Sequence, residues 1–268
     1  MLVIGMLLVV GLGGSTSVTA THTPTCAPGL SAGSIEGRRY LVYVPATATA
    51  TAPAPTVVGF HGRLQTARSQ LTGTGLQALA DRKGFIVVAP QALAGKWDFG
   101  GSDSRFTADI LDNLSCDDPA RTYASGMSMG SAMAFLQACV QPRRFAAFGG
   151  VGFEVFMPNC PDDDPAPIIA FHGTADQVVP FTGGLTASTA SAPPAESAMR
   201  EWARRDGCRQ YLRSVVATGV TLRKWDECAA GSAVEFYRIR DGKHVWPRRG
   251  AVDASALMWE FFSKYRLE

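Results

Sequence analysis

Two kinds of hydrophobic pattern take turns along the chain. Short apolar runs at residues 39–44, 56–60, 85–89, 145–151 and 168–171 have the length and the β-branched or aromatic content of strands. Those apolar at every position suit a parallel sheet covered on both faces. Between them lie segments whose apolar residues recur at helical spacing. Residues 71–83 place Leu76, Leu79 and Ala80 together, and residues 106–114 do the same with Phe106, Ile110 and Leu114. Residues 195–205 turn Trp202 inward, and residues 254–265 form a closing helix. Residues 220–225 and 234–239 alternate as half-buried strands. Strands alternating with helices predict βαβ units, an α/β fold with a mainly parallel central sheet and helices on both faces. The Thr/Ala/Pro tract at 46–55 and the low-complexity stretch at 182–194 read as surface loops. No composition break divides the chain and no internal repeat appears, although Phe-His-Gly occurs at both 60–62 and 171–173.

The predicted strand and helix within residues 121–136 meet at Gly126-Met127-Ser128-Met129-Gly130. This G-x-S-x-G sequence, strand before and helix after, is the context of a nucleophile elbow, which presents a serine hydroxyl at the end of a sheet. Glycines two residues on either side let backbones pass where a Cβ would clash. The alternative is a serine in an ordinary βα turn. A second glycine pattern, Gly73-Thr74-Gly75-Leu76-Gln77-Ala78, resembles a dinucleotide fingerprint. No strand leads into it, so that reading is rejected.

A length of 268 residues, 46% of them hydrophobic, allows one large α/β domain. The formal net charge is only +2 and no basic run stands out, which argues against nucleic acid as a partner. Residues 1–12 are apolar and Val18-Thr19-Ala20 is a small-residue cleavage pattern. Residues 1–20 are therefore expected to be a secretory signal peptide, with one domain over 21–268. The usual basic start is missing, since the first Lys or Arg is Arg38. A membrane anchor is the alternative, but the apolar run is short for a span. The expected product is extracellular, monomeric and free of the membrane. Cys26, Cys116, Cys139, Cys160, Cys208 and Cys228 are an even set with no C-x-x-C pair. That favours disulfides over a zinc ribbon or redox motif, and leaves 15 pairings open. The Asp162-Asp163-Asp164 run reads as a solvated loop, and no metal or cofactor is expected.

A serine nucleophile needs a base, and the base an orienting acid. Of the four histidines, His22 lies beside the cleavage pattern, His61 and His172 follow strands, and His244 follows the last predicted strand. The chain order Ser, then acid, then His, which is that of α/β-hydrolases, admits His172 or His244. With His244, Asp176 is the acid, just past the strand at 168–171. Asp241, three residues before His244, reads as a turn former. With His172, the acid would be Glu154 or one of Asp162 to Asp164. Ser128, Asp176 and His244 are the favoured triad, and His172 is then a structural residue bonding across a turn. The Met129 N–H is the first expected oxyanion donor. Arg63 N–H is the second, with Leu64 the alternative. His61, Trp97 and Trp246 are candidates to line a substrate groove; the alternative is that the two tryptophans are core and His61 a strand cap.

Several stretches taken in order are similar to a secreted esterase family that contains polyhydroxybutyrate depolymerases, feruloyl esterases and acetylxylan esterases. They are residues 39–45, the 60–67 segment FHGRLQTA, the elbow, the 171–180 segment FHGTADQVVP, residues 202–208, and the 242–247 segment GKHVWP. The resemblance covers residues 26–268 and implies an α/β-hydrolase fold and the same Ser128, Asp176 and His244. It implies disulfides Cys208–Cys228 and Cys116–Cys139, which leaves Cys26–Cys160. Arg63-Leu64, Met129-Gly130-Ser131 and Gly242-Lys243-His244 depart from the family's common sequences and bear on substrate choice. The leading expectation is a serine esterase acting on polyhydroxyalkanoate or its oligomers. Feruloyl or acetyl esters on plant polysaccharide are the alternative, with aromatic polyesters and a peptidase behind them. From another class, a non-catalytic binding protein on the same fold would not react with an organophosphate at Ser128.

Overall fold

The computed structural model describes residues 26–161, 164–248, 250 and 252–268. The signal peptide expected at residues 1–20, His22, and Asp162 and Asp163 lie outside the described residues. The chain runs β1 (Gly29–Ile35), β2 (Arg38–Val44), β3 (Ala54–Phe60), α1 (Ala67–Thr74), α2 (Leu76–Lys83), β4 (Ile86–Pro90), α3 (Ser102–Asp112), β5 (Asp117–Met127) and α4 (Met129–Val140). It continues through β6 (Ala147–Val151), β7 (Ile168–Gly173), β8 (Gly184–Leu185), β9 (Ser191–Ala192), α5 (Ala195–Arg205), β10 (Gln210–Ala217), β11 (Val220–Asp226), β12 (Val234–Ile239) and α6 (Ala254–Phe262).

Ten strands form one sheet in the order β1-β2-β4-β3-β5-β6-β7-β12-β11-β10. Every pairing from β4 through β12 is parallel, and the flanking β1–β2, β2–β4, β12–β11 and β11–β10 pairings are antiparallel. The central strands are buried along their whole length, as in β3, β4, β6 and β7. Their alternate residues feed two cores. Val58 and Phe60 of β3 join one with Phe106, Phe135 and Trp202. Val57 joins the other with Leu71, Leu79, Met258 and Phe262. Helices α3, α4 and α5 therefore cover one face and α1, α2 and α6 the other, as βαβ packing requires.

Four features depart from the sequence expectation. The helix expected over 71–83 is two helices. A Thr66–Ser69 capping box starts α1, and Gly75, at φ 76°, breaks the chain before α2; a left-handed glycine ends a helix without a Cβ penalty. The outer strands β1 and β10 were not foreseen. β1 is small and polar, and β10 is exposed at nearly every position, so neither carries the one-sided burial that makes a strand readable. The stretch at 182–194 contains the short β8–β9 pair. The disulfides are Cys26–Cys116, Cys139–Cys160 and Cys208–Cys228. The first two replace the implied Cys116–Cys139 and Cys26–Cys160. Cys116 precedes β5 at the opposite end of that strand from the elbow, whereas Cys139 ends α4 beside the loop that carries Cys160. Three disulfides fit an oxidising compartment.

Candidate active site

Ser128 joins β5 to α4 with φ 55° and ψ −122°. A non-glycine residue in that region is strained and persists only where its surroundings hold it. The Ser128 N–H donates to the Val151 carbonyl at 2.8 Å, and its carbonyl accepts from Ser131 and Ala132. The flanking glycines are required by space. A Cβ on Gly126 would collide with the Gly130 carbonyl, and one on Gly130 with the Phe60 carbonyl. The pentapeptide therefore forms the elbow expected of it, with the β5–α4 crossing pressed against the end of β3.

Asp176 and His244 arrive on neighbouring loops. Asp176 follows β7 and His244 follows β12, parallel neighbours in the sheet. The two loops are bound together by Ala175 N–H to the Gly242 carbonyl at 2.9 Å and Asp241 N–H to Thr174 Oγ1 at 2.9 Å. Gly173 packs so closely on Gly242 that a Cβ there would strike its backbone. His244 Nδ1 donates to Asp176 Oδ2 at 2.6 Å, which fixes the tautomer and leaves Nε2 as the free ring nitrogen. The other carboxylate oxygen, Oδ1, accepts from Val178 N–H and Val179 N–H at 2.8 and 2.9 Å. Burial alone would raise the Asp176 pKa, but the nearby His172 ring and the hydrogen bonds from His244 and Val179 outweigh it and hold the carboxyl well below the usual range. Asp241 is exposed with φ 56°, the conformation of a turn former.

Ser128 and His244 line one cleft of about 740 Å³. Its inner wall is apolar, with Met127, Ala132, Leu136, Val155 and Met157; its rim carries Arg63, Lys96, Phe99, Thr186 and Ser188. A wider hollow of about 890 Å³ lies at the far end of β5, beside Asp117, Arg143 and Glu268, away from the elbow. Met129 and Arg63 both border the Ser128 cleft. Leu64 N–H is engaged by the Gly95 carbonyl at 2.7 Å, whereas among the described residues Arg63 N–H has no backbone acceptor. Among the described residues no group of three or more His, Cys, Asp or Glu side chains is arranged to hold a metal ion.

The expected groove residues His61, Trp97 and Trp246 do not line the cleft, and this corrects the sequence reading. His61 is fully buried and hydrogen-bonded at both ring nitrogens. Trp97 is 3% exposed, donates to the His61 carbonyl at 2.7 Å and packs edge-on against Phe60. Trp246 donates to Ser255 Oγ at 3.0 Å and packs on the α6 side of the sheet. Aromatic residues near a site are as readily its foundation as its lining. The wall is instead formed by the loop after β6, where Phe153, Val155 and Met157 face the cleft. Gly152 was not singled out. At φ 70° it passes so close to His244 that a Cβ would sit 3.2 Å from Nδ1. A lone glycine after a strand gives no sequence signal of that role.

No family model matches the chain. It is 26% identical over 251 residues to feruloyl esterase B of Piromyces equi, a match covering 86% of this chain and 46% of that protein. It is 30% identical over 244 residues to a bifunctional acetylxylan esterase/xylanase of Neocallimastix patriciarum, covering 87% of this chain and 34% of the relative. The chain thus spans less than half the length of either. Its fold matches an acetyl xylan esterase from Aspergillus awamori with a TM-score of 0.64 at 16% identity, over 88% of this chain and 99% of that one. The chain has the α/β-hydrolase fold. Within that fold, an elbow serine, an acid after β7 and a histidine after β12 have the order in which such enzymes carry a triad.

Proposed function

We propose that this α/β-hydrolase is a secreted serine carboxylic-ester hydrolase working through an acyl-enzyme. Ser128 Oγ attacks the ester carbonyl while His244 Nε2 takes its proton. The tetrahedral oxyanion is held by Met129 N–H and Arg63 N–H, donors of a kind worth about 3 kcal/mol each. His244 returns the proton to the leaving alcohol, and water then releases the acyl group by the same steps in reverse. Asp176 holds the imidazole tautomer and stabilises the imidazolium. The observation that carries this reading is the 2.6 Å His244–Asp176 hydrogen bond at the wall of the cleft that Ser128 borders.

For substrate, the relatives named as feruloyl and acetylxylan esterases favour a hydroxycinnamoyl or acetyl ester of plant polysaccharide over a polyhydroxyalkanoate. The apolar inner wall suits an aryl acyl group, and the hydroxyl and cationic rim suits a sugar. The three disulfides support export. Ser128→Ala is expected to lower kcat on a p-nitrophenyl ester by about ten-thousand-fold or more, with an unchanged melting temperature and no labelling by an organophosphate. Turnover undiminished in a folded variant would sink the reading. A panel of methyl ferulate, acetylated xylan and hydroxybutyrate oligomers is expected to rank in that order of kcat/KM, and a preference for the oligomers would restore the polyester reading.

A further inference from the structure

The cleft sits on a buried charged cluster that the reaction above does not use. The loop after β6 alternates: Phe153, Val155 and Met157 face the cleft, while Glu154 turns inward and is 1% exposed. Its Oε2 accepts a hydrogen bond from His172 Nδ1. His172 Nε2 donates to the Val179 carbonyl at 2.9 Å and lies 3.4 Å from Asp176 Oδ2, the oxygen that also receives His244. One imidazole therefore ties together both walls of the cleft and the triad acid.

The proton count follows from the partners. The Val179 carbonyl only accepts, so Nε2 carries a hydrogen. Nδ1 faces a carboxylate, so it carries one as well, and His172 is an imidazolium between two acids. Burial opposes that charge, but the Glu154 carboxylate, the nearby Asp176 carboxylate and the hydrogen bonds to Glu154 and Val179 outweigh it and raise the His172 pKa. The charged groups around His172 are Glu154, Asp176, His244 beyond Asp176, and Arg238, its register partner on β12. The Arg238 guanidinium is turned onto the Phe181 ring at 5.6 Å, and that ring closes over His172 edge-on. Glu154 Oε1 is buried with no hydrogen-bond partner among the described residues. Replacing such a pair with apolar residues is often neutral or stabilising, so stability alone does not account for it.

We propose that Glu154 and His172 are positioning residues: the buried pair orients Asp176, and its cation shares with His244 the Asp176 carboxylate oxygen, so that the acid does not act on the base alone. The proposal rests on the Ser128–Asp176–His244 reading. Without the His172 charge, Asp176 would act on His244 undiluted and favour its imidazolium, which cannot accept the Ser128 proton.

Glu154→Gln separates charge from shape. The amide can donate to a neutral His172 Nδ1 while Nε2–H still reaches Val179. The experiment records kcat and KM against pH for the wild-type chain, Glu154→Gln and Ser128→Ala on one uncharged p-nitrophenyl ester, with thermal melts. Glu154→Gln is expected to match wild type near pH 8.5, and the acid limb of its kcat/KM profile to move up by about 0.5–1 pH unit. That is about a three- to ten-fold loss at the acid end, carried by kcat. A uniform loss at all pH values, or an unmoved limb, in a folded variant overturns the proposal. If Glu154→Gln does not fold, the double variant Glu154→Gln/His172→Gln removes the same cation without leaving a lone buried carboxylate; the same shift supports the proposal and its absence overturns it. An inactive wild type, or an active Ser128→Ala, would instead defeat the esterase reading.

Discussion

The chain uses Phe-His-Gly twice, and the two copies end in opposite electrostatic states. Phe60-His61-Gly62 closes β3 and Phe171-His172-Gly173 closes β7, parallel strands on either side of β5. Both histidines are almost completely buried. His61 Nε2 accepts from Ala92 N–H and Gln91 Nε2, each at 3.1 Å, and Nδ1 donates to the Gly62 carbonyl at 2.8 Å. Surrounded by amides, it is held below the usual imidazole pKa by burial. His172 sits at the same depth between two carboxylates, and its pKa is raised. A buried imidazole takes the charge its partners demand, and the tripeptide does not encode it. In the proposed mechanism the two strand ends divide the work accordingly: one would offer a backbone donor to the cleft, the other the acid.

That division can be attacked at its strongest point first. Asp176→Asn removes the acid from the β7 end while preserving shape, and kcat is expected to fall by about ten-thousand-fold through the wrong His244 tautomer, with KM little changed. Steady-state kinetics on the folded variant check it, and a loss under tenfold would mean that another group orients the base. The glycines give the next contrast. Gly173→Ala drives a methyl into the Gly242 backbone, whereas Gly62→Ala meets only the end of the Gln65 side chain at 2.9 Å. Displacing His244 by about an ångström costs on the order of a hundred-fold. Gly173→Ala is therefore expected to lose about that much in kcat, and Gly62→Ala less than about five-fold. Equal losses would show that the close approach of the β7 and β12 loops does not set the geometry.

How far the sequence foretold this depends on what each residue's signal reports. The central strands were legible because they are apolar throughout, and the elbow because its glycines and serine sit at a strand–helix boundary. The pairing of Asp176 with His244 was legible from chain order, since each follows a strand in the parallel sheet. β1 and β10 were not, because edge strands exposed along much of their length leave no periodic trace. The Cys26 and Cys139 partners depend on which ends of β5 and α4 face other loops, which spacing does not carry. Trp97 and Trp246 misled for a related reason: an aromatic side chain announces burial but not against what. Glu154 was read only as an acid for His172. The structure keeps that pairing, and the proposal above makes it a support for Asp176 in place of a rival triad.

The smallest effect tests the amide-bound histidine itself. His61→Leu removes the acceptor for Ala92 N–H and leaves a buried donor unpaired, a loss of about 1–3 kcal/mol. The pH dependence gives the sign. The folded pKa of His61 is lowered, so its contribution is present above the unfolded value near 6.5 and is lost as pH falls through the folded value, because the unfolded chain takes up the proton first. The melting-temperature gap between wild type and His61→Leu is thus expected to be widest above about pH 7 and to narrow toward pH 5. His172, with its folded pKa raised, runs the other way: its contribution is fully present below about pH 6.5 and is lost as pH rises through the folded value. Thermal melts against wild type are expected to show the His61→Leu gap widening from about pH 5 to 7 and the His172→Gln gap narrowing from about pH 6.5 toward pH 9, gaps of opposite slope. Parallel slopes would mean that the two Phe-His-Gly histidines carry the same charge, and the comparison between the strand ends would fail.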